Sequence, residues 1–255
     1  MPPKNFEQNT IFELFLQCGK YIKEFCIILS MKFIRNFIAL ICFPAVLAGI
    51  YSLIESFAIF SAQGGNYMPF WIGVLCYFVF QIAFFKPLRA YIFGHELSHA
   101  IAGVLSGAKI KKFKVGQESG SVTLTKDNLW ITLAPYMFPM YTLIILGFYY
   151  GLSFATDMKP FYSYFLFLMG FSISFHIALT IYILGIEQPD LKVYGKFFSY
   201  MVILAVNVLV FAGLFALIFP EAMKISELFD KISANIVSIY IFIWTGAKKV
   251  WAAFQ

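Results

Sequence analysis

Long apolar stretches dominate the chain and set the elements that it predicts. Four of them reach the roughly 20 mostly apolar residues that a membrane-spanning helix needs, at 34–60, 128–150, 160–185 and 197–219. A fifth runs from about Tyr67 towards Gly107 and is too long for a single crossing. The pattern therefore predicts an all-α polytopic membrane protein, a bundle of about five or six transmembrane helices.

Both ends of the chain are less apolar than its middle. Residues 11–32 mix Phe, Ile and Leu with charged side chains, as an amphipathic helix on a membrane surface does, so residues 1–33 are predicted to form an interfacial segment. Residues 34–219 are predicted to form the transmembrane domain. Residues 220–255 hold a weaker apolar run, and the pattern leaves open whether they cross the membrane or lie at its interface.

Lys86, Pro87 and Arg89 interrupt the fifth apolar stretch. Proline inside a helix removes a hydrogen bond, so the stretch is either one long kinked helix or a tight pair of helices. One helix would carry the chain about 43 Å from Tyr67 to His95, near one face of the bilayer. It would also keep most basic residues on the cytoplasmic side, as the positive-inside rule prefers. We therefore expect the kinked helix.

In residues 109–125 apolar and polar residues alternate, unlike in the apolar stretches. Phe113 and Val115 alternate with lysines, and Val122 and Leu124 alternate with Ser and Thr, on either side of a Gly-rich turn. Alternation with a period of two around such a turn predicts a β-hairpin. Because its edges carry unpaired backbone groups, the hairpin must lie at the membrane surface or be buried in protein.

Composition supports lipid as the solvent. The chain is 61% hydrophobic and 13% charged, whereas globular proteins are roughly 45–50% apolar and roughly 25% charged. The chain has a net charge of +6, and its Lys and Arg residues lie beside apolar spans, where basic residues set the orientation in the membrane and contact anionic headgroups. No nucleic-acid partner is therefore expected. Cysteines lie in or beside apolar stretches without CxxC pairing and are interpreted as small apolar side chains.

Candidate chemistry lies in His95-Glu96-Leu97-Ser98-His99, which matches the HExxH motif. Two imidazoles at positions i and i+4 fall on one helix face and can share a Zn²⁺ ion. Glu96 is then placed to take a proton from water at the metal. Ionisable groups are costly in an apolar helix and are usually functional there, which favours a metal site over a pair of structural histidines.

Catalytic zinc sites usually have a third protein ligand. Candidates in the later part of the chain are Asp157, His176, Glu187 and Asp190. His176 lies within an apolar stretch and is interpreted as a group that supports a metal ligand, as a substitute ligand or, by preference, as a hydrogen-bonding residue between helices. Two prolines, 135 and 139, should distort the 128–150 stretch and free backbone carbonyls for a neighbour or a substrate.

Several segments together resemble a known family. HELSHAIAGVLSGAKI, the hairpin ending in SGSVTLT, LAPYMFP and EQPDLKVYG are similar to the site-2-protease family of intramembrane zinc metalloproteases, in its short form without a PDZ domain. The resemblance covers roughly residues 85–210. It implies that a later helix supplies an aspartate as third ligand, and Asp190 is the matching position, although the glycine that follows the family's aspartate is absent.

The resulting hypothesis is a zinc-dependent endopeptidase that cleaves membrane-protein or peptide substrates within or beside the lipid bilayer. Glu96 is its catalytic residue, and His95, His99 and Asp190 are its metal ligands. The first alternative is a non-catalytic zinc-binding scaffold derived from such a protease. A metal transporter is disfavoured because the apolar spans hold few acids besides Glu55. A peptidase for soluble substrates is a milder variant, and the oligomeric state stays open.

Overall fold

The computed structural model describes residues 4–62, 67–84, 87–117 and 119–254. Within them the chain is almost entirely helical, with one two-stranded sheet. The helices are α1 (Lys4–Ala62), α2 (Met68–Phe84), α3 (Leu88–Leu105), α4 (Leu129–Met137), α5 (Met140–Ser153), α6 (Tyr162–Leu184), α7 (Pro189–Tyr194), α8 (Lys196–Ile218) and α9 (Ile225–Ala253). The strands are β1 (Ile110–Val115) and β2 (Gly120–Leu124).

Four helical segments are long and apolar enough to cross a membrane: Leu29–Ala58, Lys159–Leu184, Lys196–Ile218 and Ile225–Ala253. A fifth crossing is formed if α4 and α5, which meet at 77°, count as one broken span. The fourth segment lies in the region whose role the sequence left open. These features confirm a helical multi-pass membrane protein with a small β-hairpin after the HExxH helix.

The predicted single kinked helix between Tyr67 and Gly107 is wrong. The chain forms two helices, α2 and α3, with Pro87 just before the second. Tyr77 and Tyr91 both pack against Phe175, with ring centroids 6.0 and 6.4 Å away. One straight helix would separate them by about 21 Å, so the chain turns back between α2 and α3. Proline favours this break because it cannot donate a helical hydrogen bond.

The two ends of the chain pair with each other inside the bundle. Helix α9 runs antiparallel to α1, with Asn235 donating to Ser52 at 2.9 Å and Lys231 paired with Glu55 at 3.1 Å. Helix α1 itself is continuous through the predicted boundary at residue 33. The side chains of 4–19 and 21–28 lie outside the described part, and with them most of the predicted interfacial face.

Helices α2 and α6 are in very close contact. A Cβ on Gly73 would collide with the backbone carbonyl of Phe167, and one on Gly170 would collide with that of Phe70. The two backbones therefore touch, and aromatic rings surround the contact. Small residues permit this approach between membrane helices. Helix α6 is thereby fixed as the support for α3 and α5.

The hairpin is confirmed and is antiparallel, with Phe113 opposite Val122 and Val115 opposite Gly120. It packs on α3, where the side chain of Leu124 fills the space beside Gly103. Among the described residues β2 pairs only with β1, which leaves its other edge without a backbone partner. That edge faces the HExxH helix.

Candidate metal centre

Three sequence-predicted ligands meet at one point. The Nε2 atoms of His95 and His99 each lie 3.5 Å from Oδ2 of Asp190. All three possible ligand atoms lie within 4.8 Å of one another. Tetrahedral zinc with bonds of 2.0–2.1 Å places its ligand atoms roughly 3.3 Å apart, so this spacing suits a metal ion of that size.

Helix α3 supplies both histidines on one face, with each imidazole only 12% exposed. His99 is oriented by a carbonyl, because its Nδ1 lies 2.6 Å from the backbone oxygen of Ile131 and donates to it. This carbonyl is free for a specific reason: its helical donor would be residue 135, and Pro135 has no N–H. The predicted freeing of a carbonyl in this segment is therefore confirmed, and the neighbour that uses it is the candidate ligand His99.

Asp190 reaches the histidines from the short helix α7, between α6 and α8. The next residue, Leu191, is 1% exposed and packs against Leu133 and Ile203. Ser199 also donates to the carbonyl of Leu191 at 3.3 Å. A buried leucine thus anchors the turn that carries the aspartate, in the place where the resembled family has a glycine.

Tyr136 holds the Asp190 carboxylate, and sequence reasoning missed it. Its hydroxyl donates to Oδ2 at 3.0 Å, its ring packs against His95 at 5.1 Å, and its side chain is fully buried. Asn207 on α8 in turn donates to the backbone oxygen of Tyr136 at 2.9 Å. The sequence carried no signal for this role, because the hydroxyl meets Asp190 only through a contact between residues 54 positions apart.

The electrostatics of Asp190 suit a metal ligand. Burial by itself raises the pKa of its carboxyl group, but hydrogen bonds from the two histidines, the charge of His99 and the bond from Tyr136 outweigh burial. The pKa is therefore held well below its usual range. This favours the ionised form of the carboxyl group, which is the form that binds a metal ion.

Glu96 lies against the hairpin beside the ligands. Its side chain is buried, and the backbone N–H of Val122 lies beside its carboxylate. A Cβ on Gly120 would approach Cγ of Glu96 to 2.6 Å, so only glycine at that position leaves the carboxylate where it is. The hairpin therefore positions the predicted catalytic residue as well as lining the cleft.

The other candidate ligands lie elsewhere. Asp157 accepts a hydrogen bond from its own loop, at Lys159, at the far end of α6. Glu187 pairs with Lys192 at 2.8 Å, and this partnership lowers its pKa. His176 is buried near His95 but makes no hydrogen bond to a described residue, so the preferred hydrogen bond between helices is wrong.

A cleft of about 680 Å³ opens in front of this centre. Its walls are α3, β2, the start of α4 and α7, and the consecutive residues 120–127 all line it. A strand that faced the cleft with one side would contribute only alternate residues. Consecutive lining means that β2 presents its unpaired backbone edge to the space before the candidate ligands.

Comparisons of the chain with models of protein families, with curated proteins and with solved structures find no match.

Proposed function

We propose that this chain is a zinc-dependent endopeptidase that hydrolyses peptide bonds of membrane-protein or peptide substrates. The observation that carries the proposal is the convergence of His95, His99 and Asp190 on one point with Glu96 beside them. Two histidines and a carboxylate leave a tetrahedral position for water and substrate, as in catalytic zinc sites. A structural site is usually closed by a fourth protein ligand.

Zinc held by His95, His99 and Asp190 would supply Lewis acidity, which activates water and polarises the peptide carbonyl. Glu96 would accept the proton of the attacking water as the new C–O bond forms. It then returns that proton to the amine nitrogen as the C–N bond breaks. Burial against Gly120 holds the carboxylate in place throughout, and Tyr136 keeps the Asp190 carboxylate in its position.

Substrate binding follows from the free edge of β2. A helical substrate hides its carbonyls in its own hydrogen bonds, so the scissile segment must become extended before attack. An extended segment can add to the edge of β2 as a further strand, with main-chain hydrogen bonds that tolerate many sequences. The cleft between β2 and α7 then delivers its peptide bonds to the ligands.

The depth and side of the centre are part of the proposal. His176, which is close to His95, lies eight residues before the end of α6, about 12 Å along the helix. At this same end Arg35 stacks on Tyr194 at 5.8 Å, and Lys192 and Lys196 flank Glu187. The positive-inside rule therefore assigns the centre to the cytoplasmic half of the membrane.

The deciding experiment is cleavage of a membrane-inserted peptide by the purified full-length chain in liposomes. We expect Glu96→Gln to retain zinc and to lose at least about 100-fold in rate, the usual share of a general base. Glu187→Gln, a matched change outside the cleft, should cleave like the wild type. Full activity in Glu96→Gln would remove this residue from the mechanism. Zinc-loaded wild type that cleaves nothing would favour the non-catalytic scaffold.

A further inference from the structure

The two candidate ligand histidines differ at their second ring nitrogen. Nδ1 of His99 donates to the carbonyl of Ile131. Nδ1 of His95 is buried and has no hydrogen-bond partner within the described part of the chain. A metal-bound histidine almost always donates its other N–H to a carboxylate, a carbonyl or a water molecule. Nδ1 of His95 therefore needs a hydrogen-bond partner, and no side chain in the described part of the chain provides one directly.

A small cavity adjoins His95. Its volume is about 10 Å³, and His95, His176, Ser98 and Pro135 are among the residues that line it. A cavity of this size has room for about one water molecule. A buried water molecule is stable only with two to four polar partners.

Polar groups at the cavity meet this requirement. Nδ1–H of His95 is a donor, and the imidazole of His176 offers one acceptor and one donor nitrogen. The carbonyl of Pro135 lacks its helical donor, because residue 139 is also proline. His176 is buried in α6 and lines the same cavity, so its imidazole can bind a molecule that occupies it.

We propose that one buried water molecule accepts the Nδ1 proton of His95 and is held by His176. His176 thereby acts as a positioning residue, which fixes the tautomer and ring orientation of the first metal ligand. The inference rests on the proposed metal centre. It links helix α6 to the metal centre through His176, a residue that does not itself coordinate the metal.

The test is metal binding by purified full-length variants, measured by competition with a chelator and by the visible absorption spectrum of the Co²⁺-substituted protein. His176→Leu should weaken zinc binding by about 10- to 100-fold, the usual effect of losing such a support, and should shift the Co²⁺ bands. His176→Gln, which keeps a polar group at the water, should lie closer to the wild type in both readouts.

Ser172→Ala is the matched control, because Ser172 is a buried polar residue of the same helix that bonds to Thr142 at 3.0 Å, away from the ligands. It should bind zinc like the wild type. Wild-type affinity in His176→Leu would overturn the water-mediated support and leave the metal centre standing. Equal losses of zinc affinity in Ser172→Ala and His176→Leu would also overturn the water-mediated support, because they would point to a general loss of packing in α6. Wild-type protein that binds no zinc would overturn the centre itself, and this inference with it.

Discussion

Two helix–helix contacts in the bundle differ in whether the helices that form them are continuous. Helices α2 and α6 are uninterrupted, and their backbones touch at Gly73 and Gly170. Helix α4 packs against α3 but is distorted by Pro135 and ends two residues before Pro139. The first pair makes its contact along continuous helices, whereas the second pair exposes a carbonyl that binds His99.

This difference shows how an apolar bundle can hold polar chemistry. In lipid, backbone groups must be satisfied within the protein, so a broken helix is tolerated only where other groups take up its freed carbonyls. Here the groups that do so belong to the candidate metal centre. The continuous pair supplies rigidity, and the interrupted pair supplies the carbonyl that orients the candidate ligand His99.

The largest effect is expected from breaking the continuous pair. Gly170→Leu places a side chain against the backbone of α2 at Phe70, so α2 and α6 must separate. We expect a loss of about 3 kcal/mol or more in the free energy of unfolding, measured in detergent micelles, since overpacking of this kind has no room to relax. Gly213→Leu, with nothing within 4 Å of the added Cβ, is the control and should unfold like the wild type. Equal stability of both variants would mean that the contact is looser than described.

A smaller effect is expected from the interrupted pair at Tyr136. Tyr136→Phe removes only the hydroxyl that donates to Asp190. We expect zinc affinity to fall about tenfold with the fold retained, because hydrogen bonds to a ligating carboxylate commonly contribute this much. Tyr149→Phe removes a similar bond to the carbonyl of Met158 at the opposite end of α6 and should leave zinc affinity unchanged. If the two variants bound zinc equally well, Tyr136 would have no role in orienting the aspartate.

The smallest effect is expected from repairing the interruption itself. Pro135→Ala restores an N–H that competes with His99 for the carbonyl of Ile131. A carbonyl oxygen can accept two bonds, so we expect zinc affinity to fall by no more than about threefold. Pro44→Ala, at the proline inside α1, is the matched control and should have no effect. A loss as large as that of Tyr136→Phe would mean that the carbonyl binds His99 more exclusively than its two lone pairs imply.

Much of the fold was predictable because its signals are local. Apolar stretches of the right length gave the main spans, and alternation around a Gly-rich turn gave the hairpin. The pair of helices α2 and α3 was the alternative that the sequence did not favour, because the charge distribution suited a single helix. The decisive contact, both tyrosines against Phe175, is between distant residues.

The candidate site divides in the same way. His95, Glu96 and His99 lie close together on one helix, and their HExxH spacing made them predictable from the sequence. Asp190 came from a resemblance and not from spacing, and the structure brings it to the same point. Tyr136 and Asn207 could not be found from sequence, because each acts only through a tertiary hydrogen bond formed after several helices pack.

The central claim is that His95, His99 and Asp190 bind one metal ion, and zinc content tests it most directly. Purified full-length wild type, reconstituted with zinc and freed of excess metal, should hold one zinc ion per chain. His95→Ala and Asp190→Ala should each lose it, and Asp157→Ala, a loop aspartate at the opposite end of α6, should keep it. Wild type without zinc, or Asp190→Ala with as much zinc as wild type, would contradict the claim.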